Sequence, residues 1–271
     1  MKNSDKLGQA MAHNHVVNSY QVPTEIVELP SRGKLYPPDH PLKDAENVEI
    51  KFMTTREEDL LISPSLNQKG IAIDRVIESL VVSHKINAGT LIIGDKNAIL
   101  MAARKSAYGS EYSFSATCNS CSHENNVSVS IDDIQIKEII QDEDSKYLEN
   151  GNIYLVLPKS KASVEVKLIN SEDEKVIEET TKKRLKNNLP AEELLTRYRK
   201  MIVSVNNSTD SSVINNFINN HLGIADSRYL RKKYLDLVPD VSFNYNHKCE
   251  NCGELLEGGV PIGVDFFWPE L

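Results

Sequence analysis

An α+β protein is predicted, made of β-hairpins that carry two CxxC pairs, an N-terminal α/β part, and a helical bundle inserted between the pairs. Three observations lead there. All four cysteines fall in two identical spacings, Cys118-Asn119-Ser120-Cys121 and Cys249-Glu250-Asn251-Cys252. The residues beside each pair alternate apolar and polar, as half-buried strands do. The 127 residues that separate Cys121 from Cys249 contain several apolar stripes at helical spacing.

Taken from the start, residues 1–22 are polar and aperiodic and predict a flexible arm that orders on contact with something. Ile26-Val27-Glu28-Leu29 predicts a short extended piece, followed by a turn at Pro30-Ser31-Arg32-Gly33. Val48 to Phe52 predicts a strand. Thr55-Arg56-Glu57-Glu58 fits a capping box at a helix start, so its acidic run is favourable first-turn charge and not a catalytic pair. Ile73, Val76, Ile77, Leu80, Val81 and His84 mark one amphipathic helix, with His84 at the edge of the core. A second helix is expected from Asp95, capped at Gly94-Asp95, to Tyr108, stopping at Gly109. Residues 23–110 thus form the N-terminal α/β part.

Tyr112-Ser113-Phe114-Ser115 and Val127-Ser128-Val129-Ser130 flank the first CxxC; Val241-Ser242-Phe243-Asn244-Tyr245 precedes the second, and Gly253 follows it. Each pair therefore sits at a hairpin tip, and residues 111–131 and 240–265 are expected to be two halves of a metal-binding ribbon. Residues 132–239 form the insertion. It opens with an acidic helix and loop up to Glu149, then a hairpin made by Ile153–Pro158 and Val164–Ile169. A capping box at Ser171-Glu172-Asp173-Glu174 begins the helices, whose stripes are Leu194/Leu195/Tyr198/Met201/Ile202, Val213/Ile214/Phe217/Ile218 and Tyr229/Leu230/Lys233/Tyr234/Leu237. They are expected to pack as a small bundle. Residues 266–271 form an aromatic C-terminal tail.

Two thiolates three residues apart reach one metal when a tight turn lies between them, and each pair then supplies half of a tetrahedral site. Four sulfurs suit zinc, and iron could occupy the same geometry. This is the zinc-ribbon arrangement. A disulfide framework lacks a secretory signal, and a redox CxxC needs a helix after the motif where strands stand here. His123 and His247 lie close enough in sequence to substitute as ligands, but with Cys118, Cys121, Cys249 and Cys252 available they are expected beside the site or at the surface. A site closed by four cysteines has no open position for catalysis, so the metal is expected to be structural.

The 271 residues carry 31 basic and 39 acidic side chains, a formal charge of −8, and are 40% hydrophobic. Mean hydropathy is −0.38 and no long apolar run exists, so a membrane span is not expected and a soluble intracellular protein is. The acidity argues against bulk nucleic-acid binding. Three basic clusters, Lys182/Lys183/Arg184/Lys186, Arg197/Arg199/Lys200 and Arg231/Lys232/Lys233, keep open the alternative of a zinc-ribbon regulator that binds nucleic acid through these helices. Interleaved Glu178, Glu179, Glu192 and Glu193 favour solvated helix faces instead. GxSxG, HExxH, Walker and dinucleotide patterns are all missing, and neither an enzyme nor a small-molecule substrate is expected.

Several ordered strings resemble the baseplate hub proteins of T-even-type contractile-tailed bacteriophages. They are Leu29-Pro30-Ser31-Arg32-Gly33-Lys34-Leu35-Tyr36-Pro37, Met53-Thr54-Thr55-Arg56-Glu57-Glu58-Asp59, Gly94-Asp95, the Tyr108-Gly109 that leads to Cys118 and Cys121, and the second knuckle with Phe266-Phe267-Trp268-Pro269. The polar arm and a long middle section, roughly 135 to 190, depart from shorter members. The resemblance implies a non-enzymatic role in the tail hub, as a structural subunit or as an assembly chaperone that later leaves. It implies hub, tail-tube or tape-measure proteins as partners, in the host cytoplasm during assembly or in the virion baseplate. Phe266, Phe267 and Trp268 are candidate partner-binding residues, and Trp268 could equally plug the ribbon's core.

Overall fold

The computed structural model describes residues 21–137, 139 and 145–267. The arm expected at 1–22 lies almost wholly outside them, as does Trp268. Strand β1 (Thr24–Glu28) pairs antiparallel with β2 (Asn47–Lys51), placing Val27 opposite Val48 on the inner face and Ile26 opposite Glu49 on the outer one. Helices α1 (Thr55–Ile62), α2 (Pro64–Gln68) and α3 (Ala72–Leu80) follow. The α1 capping box is present one residue earlier than expected: Thr54 is the cap, and its amide and hydroxyl both donate to Glu57 Oε2, at 2.9 and 2.6 Å. Helix α3 ends at Leu80, so His84 is not on it; its Nδ1 lies 2.9 Å from Ser83 Oγ.

Helix α4 (Ile93–Tyr108) is buried on several sides, through Ala98, Ile99, Leu100, Met101 and Ala103, as a helix at the centre of a domain must be. It begins before Asp95, which therefore does not cap it. Asp95 is fully buried and accepts from Ser31 N at 2.9 Å and Ser31 Oγ at 2.5 Å. The Ser31 hydroxyl oxygen in turn accepts from Gly33 N at 3.0 Å. Gly33 has φ +68°, and a Cβ there would fall 2.3 Å from Ala45 N, so this turn admits only glycine. The string from Leu29 to Tyr36 is thus a latch onto α4. Burial raises the Asp95 pKa, against the Ser31 donors that lower it.

Strands β3 (Glu111–Thr117) and β4 (Glu124–Ser130) form the first cysteine hairpin, with Tyr112 opposite Val129 and Phe114 opposite Val127. The stretch expected as an acidic helix contains instead β5 (Gln135–Lys137) and β6 (Ser145–Tyr147) among its described residues. Strands β7 (Ile153–Val156) and β8 (Ser163–Val166) form the expected hairpin, and Lys161 takes φ +58° in its turn. Helices α5 (Ser171–Lys186) and α6 (Glu193–Met201) precede β9 (Ile202–Val205), which joins β8 and completes a four-stranded sheet in the order β6-β7-β8-β9. Ile202 is therefore a strand residue, not the end of a helical stripe. The cap of α5 is Asn170, again one residue before the expected one, with its side-chain oxygen accepting from Asp173 N at 2.9 Å. Helix α7 (Ser211–Asn216), a π-type turn at Phe217–His221 and α8 (Ile224–Leu237) bring the chain to β10 (Asp240–Ser242), which pairs with β5.

Strands β11 (Asn244–Lys248) and β12 (Leu255–Gly259) form the second cysteine hairpin. One continuous apolar core runs from Val27 to Phe267, and a small second cluster of Ala116, Cys118, Val127, Cys249 and Leu256 lies under the cysteine corner. Helix α4 meets the segment before β10 closely. A Cβ on Gly94 of α4 would lie 2.2 Å from the Pro239 carbonyl oxygen, just before β10, so the helix can meet this backbone only through glycine. No helix of the described residues is long and apolar enough to cross a membrane.

Candidate metal centre

The two cysteine hairpins end in matching knuckles. In the first, Cys118 N donates to His123 O at 2.8 Å and Ser122 N to Cys118 O at 2.8 Å. In the second, Cys249 N donates to Glu254 O at 2.8 Å and Gly253 N to Cys249 O at 2.9 Å. The residue after the second cysteine has a positive φ in both, +59° at Ser122 and +75° at Gly253. Each turn curls its backbone around one side of a shared space. The four Sγ atoms, of Cys118, Cys121, Cys249 and Cys252, all lie within 4.8 Å of one another. The cross-knuckle pairs Cys118–Cys252 and Cys121–Cys249 are each 3.7 Å apart. Neither His123 nor His247 belongs to this set.

Local hydrogen bonds bias two of the sulfurs, Cys249 and Cys121, towards the thiolate. Backbone amides of Cys252 and Asn251 hold the Cys249 thiol at about 6, and the Asn251 side chain with the His123 amide lowers Cys121. Cys252 goes the other way, to about 12: the Glu254 amide opposes the rise, but the neighbouring sulfurs Cys121, Cys118 and Cys249 outweigh it. Four sulfurs this close cannot all be anionic without a counter-charge. A divalent ion supplies that charge and takes sulfur as ligand. Donor type, spacing and amide orientation all fit such an ion.

Asn125 ties the knuckles together, and nothing in the sequence pattern singled it out. It is fully buried; its amide nitrogen donates to His123 O at 3.1 Å and Ala116 O at 3.3 Å, and its oxygen accepts from Glu250 N at 2.9 Å. The hairpins also meet through Phe114 and Tyr245, whose rings stand edge-on 5.1 Å apart.

The aromatic residues near the C-terminus have a different place from the one expected. Phe266 and Phe267 are both fully buried, with Phe266 edge-on to Tyr112 at 4.8 Å. This corrects the expectation of a partner-binding surface at 266–267, because these rings are interior and offer no exposed face. Arg104 of α4 holds them there. Its guanidinium, itself buried, donates to the carbonyls of Phe266, Gly109 and Glu111 at 2.9, 2.9 and 3.0 Å.

Much of the basic character in the middle helices is neutralised on the surface. Arg197 pairs with Glu174 at 2.5 Å, Arg184 with Glu192 at 2.6 Å, and Lys182 with Glu178. A cavity of about 700 Å³ lies beside the latch, lined by Leu35, Tyr36, His40, Ile86, Asn87 and Leu168 among others. Both ring nitrogens of His40 are engaged there: Nδ1 accepts from Leu42 N at 3.1 Å and Nε2 lies 3.0 Å from Thr90 Oγ1.

These features define a mixed helix-and-sheet protein whose four cysteines converge at one corner and can bind a metal ion. Residues 22–268 match the family of the T4 bacteriophage base plate protein, and the chain belongs to that family: it is a phage baseplate protein. Comparison with curated proteins and with solved structures returns no match. Membership points to a structural role and to association with other phage tail proteins in the virion tail.

Proposed function

We propose that this chain acts without catalysis in baseplate hub assembly, as a hub subunit or as an assembly chaperone, with one structural zinc at its four-cysteine corner. Its partners are then hub, tail-tube or tape-measure proteins, met in the host cytoplasm as the tail is built. Trp268, beyond the described residues, is left as a candidate contact for them. The observation that carries the zinc reading is the sulfur geometry. A tetrahedron with metal–sulfur bonds of about 2.3 Å has edges of about 3.8 Å, and the two cross-knuckle sulfur pairs are 3.7 Å apart. Zinc bound there would hold the two hairpins in register, while Asn125 fixes the knuckle backbones around it.

The hub reading rests on the family match together with the strings at 29–37, 53–59 and 94–95, which the fold uses as latch, helix cap and helix entry. The nucleic-acid alternative has less support, because Arg184, Arg197 and Lys182 already have carboxylate partners. Mass spectrometry on finished particles and on assembly intermediates tests the role. Presence in both indicates a hub subunit, presence in intermediates alone indicates a chaperone, and absence from both overturns the proposal. Elemental analysis tests the metal: about one zinc per chain is expected, and a stable metal-free protein with four titratable thiols would refute it.

A further inference from the structure

Among the described residues the two most exposed large apolar side chains are Ile224, at 82%, and Leu235, at 68%. Both belong to α8. They are eleven residues apart, which is three helical turns plus about 20°, so they lie on one face and about 16 Å apart. Arg228 and Arg231 fall between them on the same narrow stripe, and both are exposed. Neither arginine has an ion-pair or hydrogen-bond partner among the described residues, unlike Arg184 and Arg197. The opposite face, with Asp226, Leu230 and Leu237, is buried.

The helix that carries this stripe is fixed at three points. The Asp226 carboxylate accepts the amides of Lys159 and Ser160, each at 2.8 Å. Tyr198 Oη donates to Ser227 O at 3.0 Å, and Tyr234 Oη accepts from Ile169 N at 2.8 Å. A rigid face lowers the ordering cost of binding. Exposed apolar groups at both ends with unpaired arginines between them are the composition of an interface centre, not of an ordinary solvated helix.

We propose that the Ile224–Arg228–Arg231–Leu235 stripe docks an acidic segment of a different baseplate protein, one that presents carboxylates between two apolar side chains. The proposal builds on the baseplate reading above. Charge complementarity selects the occupant. A guanidinium binds a carboxylate through two parallel hydrogen bonds, and flanking apolar contacts exclude water from that pair. A nucleic-acid backbone would gain nothing from Ile224 and Leu235, and would meet a chain of net charge −8. The stripe's length matches about three turns of helix or five residues of strand.

The test places a photo-crosslinking amino acid at 224 or 235 in the full chain during infection, then sequences cross-linked peptides from baseplate intermediates. Both positions should join the same segment of another baseplate protein, with at least two Asp or Glu residues in it. The double variant R228E/R231E should reduce both cross-links at least tenfold and leave the melting temperature unchanged, since neither arginine supports the fold. The proposal is overturned, with the baseplate reading intact, if the chain is present in intermediates and the positions yield no cross-link. Cross-links indifferent to charge reversal, or leading to nucleic acid or to a second copy, overturn it in the same way. Absence of the chain from every intermediate removes the hub-assembly reading as well.

Discussion

The side-chain oxygen of Asn125 accepts the backbone amide of Glu250, 125 positions further along the chain, at 2.9 Å, and so joins the two knuckles. The same side chain serves the His123 and Ala116 carbonyls, so one buried amide organises both turns around the sulfurs.

Asn125→Ala should therefore act on two quantities at once. It leaves buried backbone groups unpaired, at about 1–3 kcal/mol, and it loosens the turns that aim the sulfurs. Groups that orient ligands typically contribute 10–100-fold to metal affinity. With zinc supplied as the proposed occupant, competition with a chromophoric chelator should show it released at least about tenfold more readily from the variant than from the parent protein. Equal retention would mean that the knuckles hold their shape alone.

Arg104 cannot be replaced by lysine without loss. A planar guanidinium serves three carbonyls that point from three directions, whereas an ammonium on a flexible stem cannot reach all of them. Arg104→Lys should destabilise the protein by about 2–3 kcal/mol. It should also raise hydrogen exchange at Phe266 and Phe267 more than elsewhere. Uniform loss of protection over the whole chain would show that the arginine does not act as a local clasp.

Glu57 predicts a pH dependence with a defined sign. Burial alone would raise its pKa, but Lys51, Ser79 and Thr54 overcome this and hold it at about 2, below the usual 4.5. A carboxylate whose pKa is lower in the folded state contributes stability above its unfolded pKa and loses it as pH falls through the folded one. That contribution is complete above about pH 5 and disappears as pH falls towards 2. Glu57→Gln should lower stability at pH 7 by about 1–3 kcal/mol and flatten the acid side of the stability curve in this window. Chemical denaturation at pH 7, 4 and 3 measures both effects.

Two glycines provide a matched comparison. Gly94→Ala would push a Cβ to 2.2 Å from the Pro239 carbonyl oxygen, while the same change at Gly223 meets nothing within 4 Å. Thermal melting should show a loss of about 2–3 kcal/mol at Gly94 and a change within about 0.5 kcal/mol at Gly223.

The parts of the fold legible in the sequence were those with a strong local period or a fixed ligand spacing. The two CxxC pairs announced their own convergence, because four soft ligands in two equal spacings have few other uses. Strands β3, β4, β7 and β8 showed alternation, and α3 and α4 showed helical stripes. What was missed depends on distant partners. Asp95 looks like a helix cap until Ser31, 64 residues away, takes up both its oxygens. Strands β5 and β6 are three residues each, too short to display a period, so the acidic residues around them suggested a helix. The caps of α1 and α5 lie one residue earlier than the sequence suggests, since Thr54 and Asn170 have neighbours of similar capping ability. Phe266 and Phe267 suggest an adhesive surface by composition, but Arg104 and Tyr112, both more than 150 residues earlier, draw them into the core.

The spacing of the knuckles also has a consequence in time. Cys118 and Cys121 leave the ribosome well before Cys249 and Cys252, with 127 residues between the pairs. At about 5–20 residues per second, the second half of the sulfur cluster is made roughly 6–25 s after the first. A chain cut short anywhere in that interval offers a metal only two ligands. Closure of the four-sulfur corner is then a mark that the polypeptide has been made past residue 252, and it coincides with the arrival of Phe266 under Arg104. Such a step separates chains that carry both knuckles from shorter fragments that carry one.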